Sequence, residues 1–91
     1  MHKLKYIILP ASPLTHDLET PIAFPQTLQH AQVALCFAQY DHPISAGFVE
    51  FIPIDAQNPH GPVRALCTGV SDSLGLTSRG VLDDEVFATF I

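Results

Sequence analysis

The residues with the greatest potential for chemistry lie in one short segment, residues 69–80. Ser71, Ser73 and Ser78 offer hydroxyl groups there, and Arg79 adds a guanidinium. Hydroxyls and backbone N–H groups in a glycine-containing turn can hold a carboxylate or a phosphate, and an arginine can grip either one with two N–H groups. These four residues are therefore a candidate binding site for an anion or a small molecule. Ordinary turns use the same residue types, so a turn without a ligand is the competing interpretation.

A second set of residues supplies the groups that a hydrolase needs, although no motif joins them. Cys36 or Ser71 would be the nucleophile. His30 or His42 would be the base, and Asp41 would orient it. The segment around Ser71 departs from the G-x-S-x-G pattern at its last position, which is a serine. A hydrolase is thus an alternative function, and no residue is assigned as catalytic.

Metal and cofactor sites are not indicated. The five histidines are spread along the chain, and none of the usual metal-ligand spacings occurs. Cys36 and Cys67 both stand among apolar residues, which favours buried free thiols over a disulfide. A reducing cytoplasm is the simplest location for such a chain.

The elements that would position these residues can be assigned from apolar periodicity and from the prolines. Four prolines in residues 10–26 exclude a continuous helix or a central strand there, so we expect an irregular segment in which at most a short bridge forms, at Ile22–Phe24. Residues 27–39 fit both a helix capped by Thr27 and an alternating strand, and their strong helix formers favour the helix. The remaining predicted elements are strands at residues 3–9, 44–54, 63–70 and 73–77 and a final helix over residues 83–91.

This order, β-α-β-β-β-α, predicts an α+β fold: a small antiparallel sheet with one central helix and a C-terminal helix. At 91 residues the chain has room for one domain, residues 1–91. The hairpin formed by residues 44–70 would be the centre of the sheet.

Two stretches of this chain, Ser45-Ala46-Gly47-Phe48-Val49 and residues 71–79, are followed by the acids Asp83 and Asp84. This pattern, "AGF" and then "SxSLxLxSR", resembles that of short uncharacterised bacterial and prophage proteins. The likeness covers about 25 residues. It departs from the family at Arg79-Gly80, where the family has Arg-Pro. The resemblance implies the same order of strands and helices and carries no function.

Composition narrows the choice of partners. Only four side chains are basic, and Arg64 and Arg79 stand apart, which argues against binding to nucleic acid. The longest apolar run, residues 33–38, is far too short to span a membrane. The whole net charge of −5 lies after residue 40, where the chain has seven acidic residues and two arginines.

The low charged fraction and high apolar fraction of the chain favour association with a partner. Charged side chains form 14% of the chain, against about 25% in average globular proteins, while apolar residues form 47%. The few charged side chains must share a surface of about 5,200 Å². We therefore expect a small non-enzymatic protein that forms a homodimer or binds a protein partner. The strand over residues 44–54, or the face that carries Phe48 and Phe51, is the predicted interface.

Overall fold

The computed structural model describes residues 3–91, so Met1 and His2 lie outside the described residues. Four antiparallel strands form one sheet in the order β2-β1-β3-β4, and a helix lies on each face. The α+β prediction is confirmed. The elements are β1 (Leu4–Leu9), β2 (Thr20–Phe24), α1 (His30–Cys36), β3 (Ser45–Pro53), β4 (Val63–Thr68), β5 (Val70–Ser71), β6 (Leu76–Thr77) and α2 (Val81–Ala88).

Strand β1 is the centre of the molecule because both of its faces are buried. Tyr6 and Ile8 face one side and pack with Phe87 of α2. Ile7 and Leu9 face the other side and pack with Val33 of α1. A run of consecutive apolar residues in a strand is what burial on both faces requires.

Strand β2 corrects the expectation of an irregular segment. Thr20–Phe24 pairs with β1 over five residues, so the order of elements contains one strand more than predicted. The argument from the prolines excluded only a central strand, and β2 lies at the edge of the sheet, where proline is tolerated. Single 3₁₀ turns at Pro13–Thr15 and Ala38–Tyr40 complete the connections.

Helix α1 is shorter than predicted. It begins at His30 after the N-cap residue Gln29, so Thr27 does not cap it. The helical interpretation of this segment is confirmed over seven residues. Gln32 accepts a hydrogen bond from the Gln29 N–H at 2.9 Å, which satisfies one of the free donors of the first turn.

The strand predicted over residues 63–70 ends early, at Thr68, because Gly69 has a φ of +85°. Glycine adopts this left-handed conformation without strain, and the chain changes direction there. Val70–Ser71 then pairs with Leu76–Thr77 as a separate hairpin instead of adding a strand to the main sheet.

Helix α2 begins and ends earlier than predicted, at Val81 and Ala88. Phe90 and Ile91 therefore lie beyond the helix. Phe90 is 50% exposed and Ile91 is 57% exposed. Within residues 3–91, neither helix has the length and apolar character needed to cross a membrane.

Candidate binding groove

Asp83 is the centre of a buried polar network that ties α2 to the sheet. Its side chain is fully buried. One carboxylate oxygen accepts hydrogen bonds from the Ser45 hydroxyl at 2.9 Å and from the Arg79 Nε at 2.7 Å. The other accepts from the Tyr6 phenol and from the Arg79 backbone N–H at 2.9 Å. Ser78 Oγ lies 2.7 Å from the phenol oxygen. All buried side-chain nitrogen and oxygen atoms of residues 3–91 have a partner, so the network is closed.

Arg79, predicted to hold an anion, is bound to two carboxylates of its own chain. Its Nη2 donates to Glu19 at 2.7 Å, in addition to the contact with Asp83. The hydrogen bond to Glu19 raises the pKa of Arg79, although partial burial opposes this. The guanidinium therefore already has the anionic partners that a bound ligand would supply.

The other residues of the predicted anion site do not gather around Arg79. Only Ser78 is in the same network. Ser71 accepts a hydrogen bond from the Leu74 N–H at 3.3 Å, within its own turn. Ser73 accepts one from the Ala31 N–H at 3.1 Å, in the first turn of α1. Across residues 3–91 no hydrogen bond joins the guanidinium to any of the three hydroxyls.

The residues predicted for hydrolysis are also held apart by their contacts. His30 is 3% exposed, and its Nε2 is 2.8 Å from the Gly47 carbonyl oxygen. Burial lowers its pKa. Cys36, expected to be buried, is exposed and donates to the Gln32 carbonyl oxygen. Asp41 and His42 line a different cleft beside α1.

Cys67 is buried as expected, on β4. Burial raises the pKa of its thiol, and the neighbouring Asp84 carboxylate raises it further. For the tyrosine of the Asp83 network, burial followed by the hydrogen bond to Asp83 raises the pKa of the Tyr6 phenol. Over the part of the chain that the structure describes, no group of three His, Cys, Asp or Glu side chains is placed to hold a metal ion.

The predicted interface residues Phe48 and Phe51 lie on opposite faces of β3. Phe51 packs edge-on against Phe87 of α2, with ring centroids 5.5 Å apart. Phe48 contacts His30 at 6.0 Å on the α1 side. Because β3 is paired on both sides, by β1 and β4, it has no free edge. These residues are therefore parts of the packed layers and do not form one uncovered face.

The free edges of the sheet are β2 and β4, and β4 has more outward-facing backbone N–H groups. The Pro62 carbonyl accepts from the Ile54 N–H at 3.0 Å, so residue 62 points toward β3. Since successive residues of an antiparallel strand alternate, Val63, Ala65 and Cys67 direct their N–H and C=O groups away from β3. The Cys67 N–H donates to Asp84 at 2.7 Å. Val63 and Ala65 form no such contact with α2.

A groove runs along this edge between β4 and α2. We call it the β4 groove, and its volume is about 340 Å³. Ile54 and Ile91 belong to its lining and are 67% and 57% exposed. Three of the lining residues are charged. The lining residues are Ile54, Val63, Arg64, Ala65, Asp84, Glu85, Ala88 and Ile91.

The β2 edge offers much less to a partner. The Ile44 N–H donates to the Ile8 carbonyl at 2.9 Å, which sets the alternation in β1 and places the backbone groups of Pro21 and Ala23 on the outer side of β2. Pro21 has no N–H, and Pro25 follows the end of the strand. Prolines at an edge strand block the addition of another strand.

Sequence reasoning did not find the β4 groove. It placed Asp83, Asp84 and Glu85 together at a helix N-terminus, whereas the structure gives these three acids separate positions: fully buried, half-buried against Cys67, and exposed at the groove. The usable signal was the 63–70 strand, whose outward residues contain no proline. Neither a protein-family model, nor a curated protein, nor a solved structure matches this chain.

Proposed function

We propose that this protein acts by association and binds an extended polypeptide segment along β4. The observation that carries the proposal is the outer end of this edge: the partly exposed Val63 points its backbone groups away from the sheet beside an apolar groove, whereas Ala65, at 6% exposed, is largely covered. A peptide that adds a strand to such an edge gains main-chain hydrogen bonds, and its alternate side chains enter the neighbouring groove.

The apolar surface around β4 supports this proposal. Ile54, Leu66 and Ile91 are 67%, 39% and 57% exposed. Full burial of one such side chain contributes about 1.5–3 kcal/mol, so a partner that covers them gains substantially. The folded chain exposes 5632 Å², somewhat more than the roughly 5,200 Å² typical of a chain of this mass.

Edges of this kind are usually protected, and here the protection is partial. Asp84 occupies one outward donor of β4, at Cys67, and leaves the end of the strand near Val63 untouched. At the opposite edge Pro21 removes a donor altogether. The contrast is typical of a sheet in which one edge is closed against pairing and the other is kept for it.

A selection from a displayed library of random short peptides tests the proposal on the whole chain. We expect the enriched peptides to alternate apolar and polar residues and to lose at least tenfold in affinity for the Val63→Lys variant, because a charge at this edge position opposes strand addition. Leu35→Lys is the matched control, since Leu35 is 77% exposed on α1, away from the groove. Peptides that bind both variants as they bind the original chain would refute the proposal.

A further inference from the structure

We propose that a cleft between β1, the start of α1 and the β5–β6 hairpin binds a small zwitterion, namely a free amino acid with an apolar side chain. We call it the Lys5 cleft. Its volume of about 290 Å³ is at the lower end of the range for small-ligand sites. It lies on the α1 face of the sheet, whereas the β4 groove lies beside α2, so the inference does not depend on the proposed function.

His30 brings a buried hydrogen-bond acceptor to this cleft. Its Nε2 lies 2.8 Å from the Gly47 carbonyl oxygen, and Nε2 carries the ring hydrogen because a carbonyl only accepts. Burial lowers the pKa of His30, so at pH 7 the ring is neutral and Nδ1 keeps its lone pair. Nδ1 has no hydrogen bond within residues 3–91, yet no fully buried side-chain nitrogen there lacks a partner. Nδ1 therefore reaches the cleft that His30 lines, where it can accept from a ligand N–H.

Lys5 supplies a cation on the same face. The residues of a strand alternate between the two faces, so Lys5 shares the α1 face with Ile7 and with its cross-strand partner Phe48. Its Nζ donates to the Leu28 carbonyl oxygen at 2.9 Å, which uses one of three N–H groups. Lys5 forms no ion pair within the described part of the chain. The remaining donors are free for a ligand carboxylate.

The β5–β6 turn supplies an anion and a hydroxyl. Asp72 is exposed, lines the cleft and forms no ion pair within residues 3–91. Ser73 Oγ accepts from the Ala31 N–H at 3.1 Å, which holds the turn against α1 and leaves the hydroxyl proton free to donate. Phe48 and the half-exposed Val70 give the cleft an apolar wall.

These groups favour a zwitterion over a simple anion or cation. Lys5 and Asp72 line one cleft but do not pair with each other. A simple anion would meet the like charge of Asp72, and a simple cation would meet that of Lys5. An amino acid satisfies both, with its carboxylate at Lys5 and Ser73 and its ammonium at Asp72 and His30. An apolar side chain then packs against Phe48.

The experiment removes each charge from the ligand and, separately, from the protein. The whole chain is titrated with L-leucine, with N-acetyl-L-leucine, which has no ammonium, and with L-leucinamide, which has no carboxylate. Amide shifts in NMR spectra give the affinities. We expect leucine to bind about tenfold more tightly than either derivative, as the loss of a hydrogen bond between charged groups requires. In Asp72→Asn only the preference over N-acetyl-L-leucine disappears, and in Lys5→Gln only the preference over L-leucinamide disappears.

Asp17→Asn and Lys3→Gln are the matched controls, because both remove an exposed charge outside the cleft, and both keep the two preferences. Leucine that does not bind, or that binds no better than its derivatives, overturns the inference. So does a variant in which the affinities for all three ligands fall equally. The three ligands test the original chain directly, so a variant that fails to fold does not leave the question open. None of these results bears on the library selection, which reads the other face of the sheet.

Discussion

The two edge strands of the sheet, β2 and β4, differ in how many outward backbone N–H groups they leave without a partner. Both β2 and β4 are short strands that pair with only one neighbour. At β2 the outward positions are held by Pro21 and Ala23, so one N–H remains. At β4 they are Val63, Ala65 and Cys67, and only the last has its N–H bound by a side chain.

The difference concerns free backbone groups more than apolar content. Apolar side chains are exposed over much of this molecule, including Leu14 and Leu35. Beside β4 they accompany the outward backbone groups of Val63, which have no hydrogen-bond partner within residues 3–91. Asp83 and Glu85 repeat this contrast within one helix turn, because the first has every oxygen satisfied and the second is free.

The largest expected effect comes from removing the support of the groove. Asp83→Ala takes away the shared acceptor of Tyr6, Ser45 and Arg79 and leaves these buried or half-buried donors unpaired. We expect a loss of about 3–5 kcal/mol in the free energy of unfolding, measured by urea denaturation. Because α2 forms one wall of the β4 groove, association is lost as well. Asp72→Ala, which changes an exposed acid, is the control, and a loss below about 1 kcal/mol for Asp83→Ala would contradict the structural role.

Alkaline pH should destabilise the chain through groups on β1 and β4. The pKa values of Cys67 and Tyr6 are raised above their ordinary 9.0 and 10.0 in the folded chain. Above these values the unfolded chain releases protons that the folded chain retains, so stability is present below pH 9 and falls as pH rises. The slope approaches about 1.4 kcal/mol per pH unit for each group.

Urea denaturation at a series of pH values from 7 upward measures this slope. In Cys67→Ala the thiol contribution is absent, so the decline between pH 9 and 10 should be shallower than in the original chain. Equal slopes for the two proteins in that interval would show that the thiol does not contribute.

A smaller effect is expected from Asp84→Ala, which removes the acceptor of the Cys67 N–H. We expect a loss of about 1.5–3 kcal/mol, typical of a hydrogen bond to a charged group, and faster hydrogen exchange of the Cys67 amide. Glu85→Ala is the matched control on the same helix turn. If both variants exchange at the same rate at Cys67, Asp84 does not protect the edge.

The smallest change in stability should come from Pro21→Thr, about 0.4–1 kcal/mol through the unfolded chain alone. The variant restores a donor to the outer side of β2 and so makes the two edges more alike. We expect larger species in sedimentation velocity than the original chain forms, because both edges can then pair. Pro25→Thr, beyond the strand, is the control, and an unchanged distribution for Pro21→Thr would mean that proline is not what closes β2.

Local patterns were sufficient to predict the strands with strong signals and the class of the fold. The apolar run in β1 and the alternation in β3 specify strands whatever their partners are, and both were found within one residue of their ends. The α+β arrangement follows from these elements.

What the sequence did not reveal depends on partners distant along the chain. Strand β2 forms because β1 provides main-chain hydrogen bonds along its length. These outweigh the local preference of Pro21 against a strand. Asp83 meets Tyr6, 77 residues away, so no spacing rule points to the contact. The burial of His30 could not be predicted either, because only the fold places Gly47 and Phe24 against it. An edge strand likewise becomes visible only when the order of the strands is known.

Hydrogen exchange of single amides, followed by NMR without and with a saturating concentration of a peptide from the library selection, tests most directly whether β4 is the edge that binds an extended segment. We expect the Val63 amide to exchange rapidly without the peptide and to be protected with it, while the Ala23 amide on β2 exchanges rapidly in both states. The Leu66 amide, which faces β3, should stay protected throughout. A Val63 amide whose exchange does not respond to the peptide, or an Ala23 amide that becomes protected instead, would contradict binding through β4.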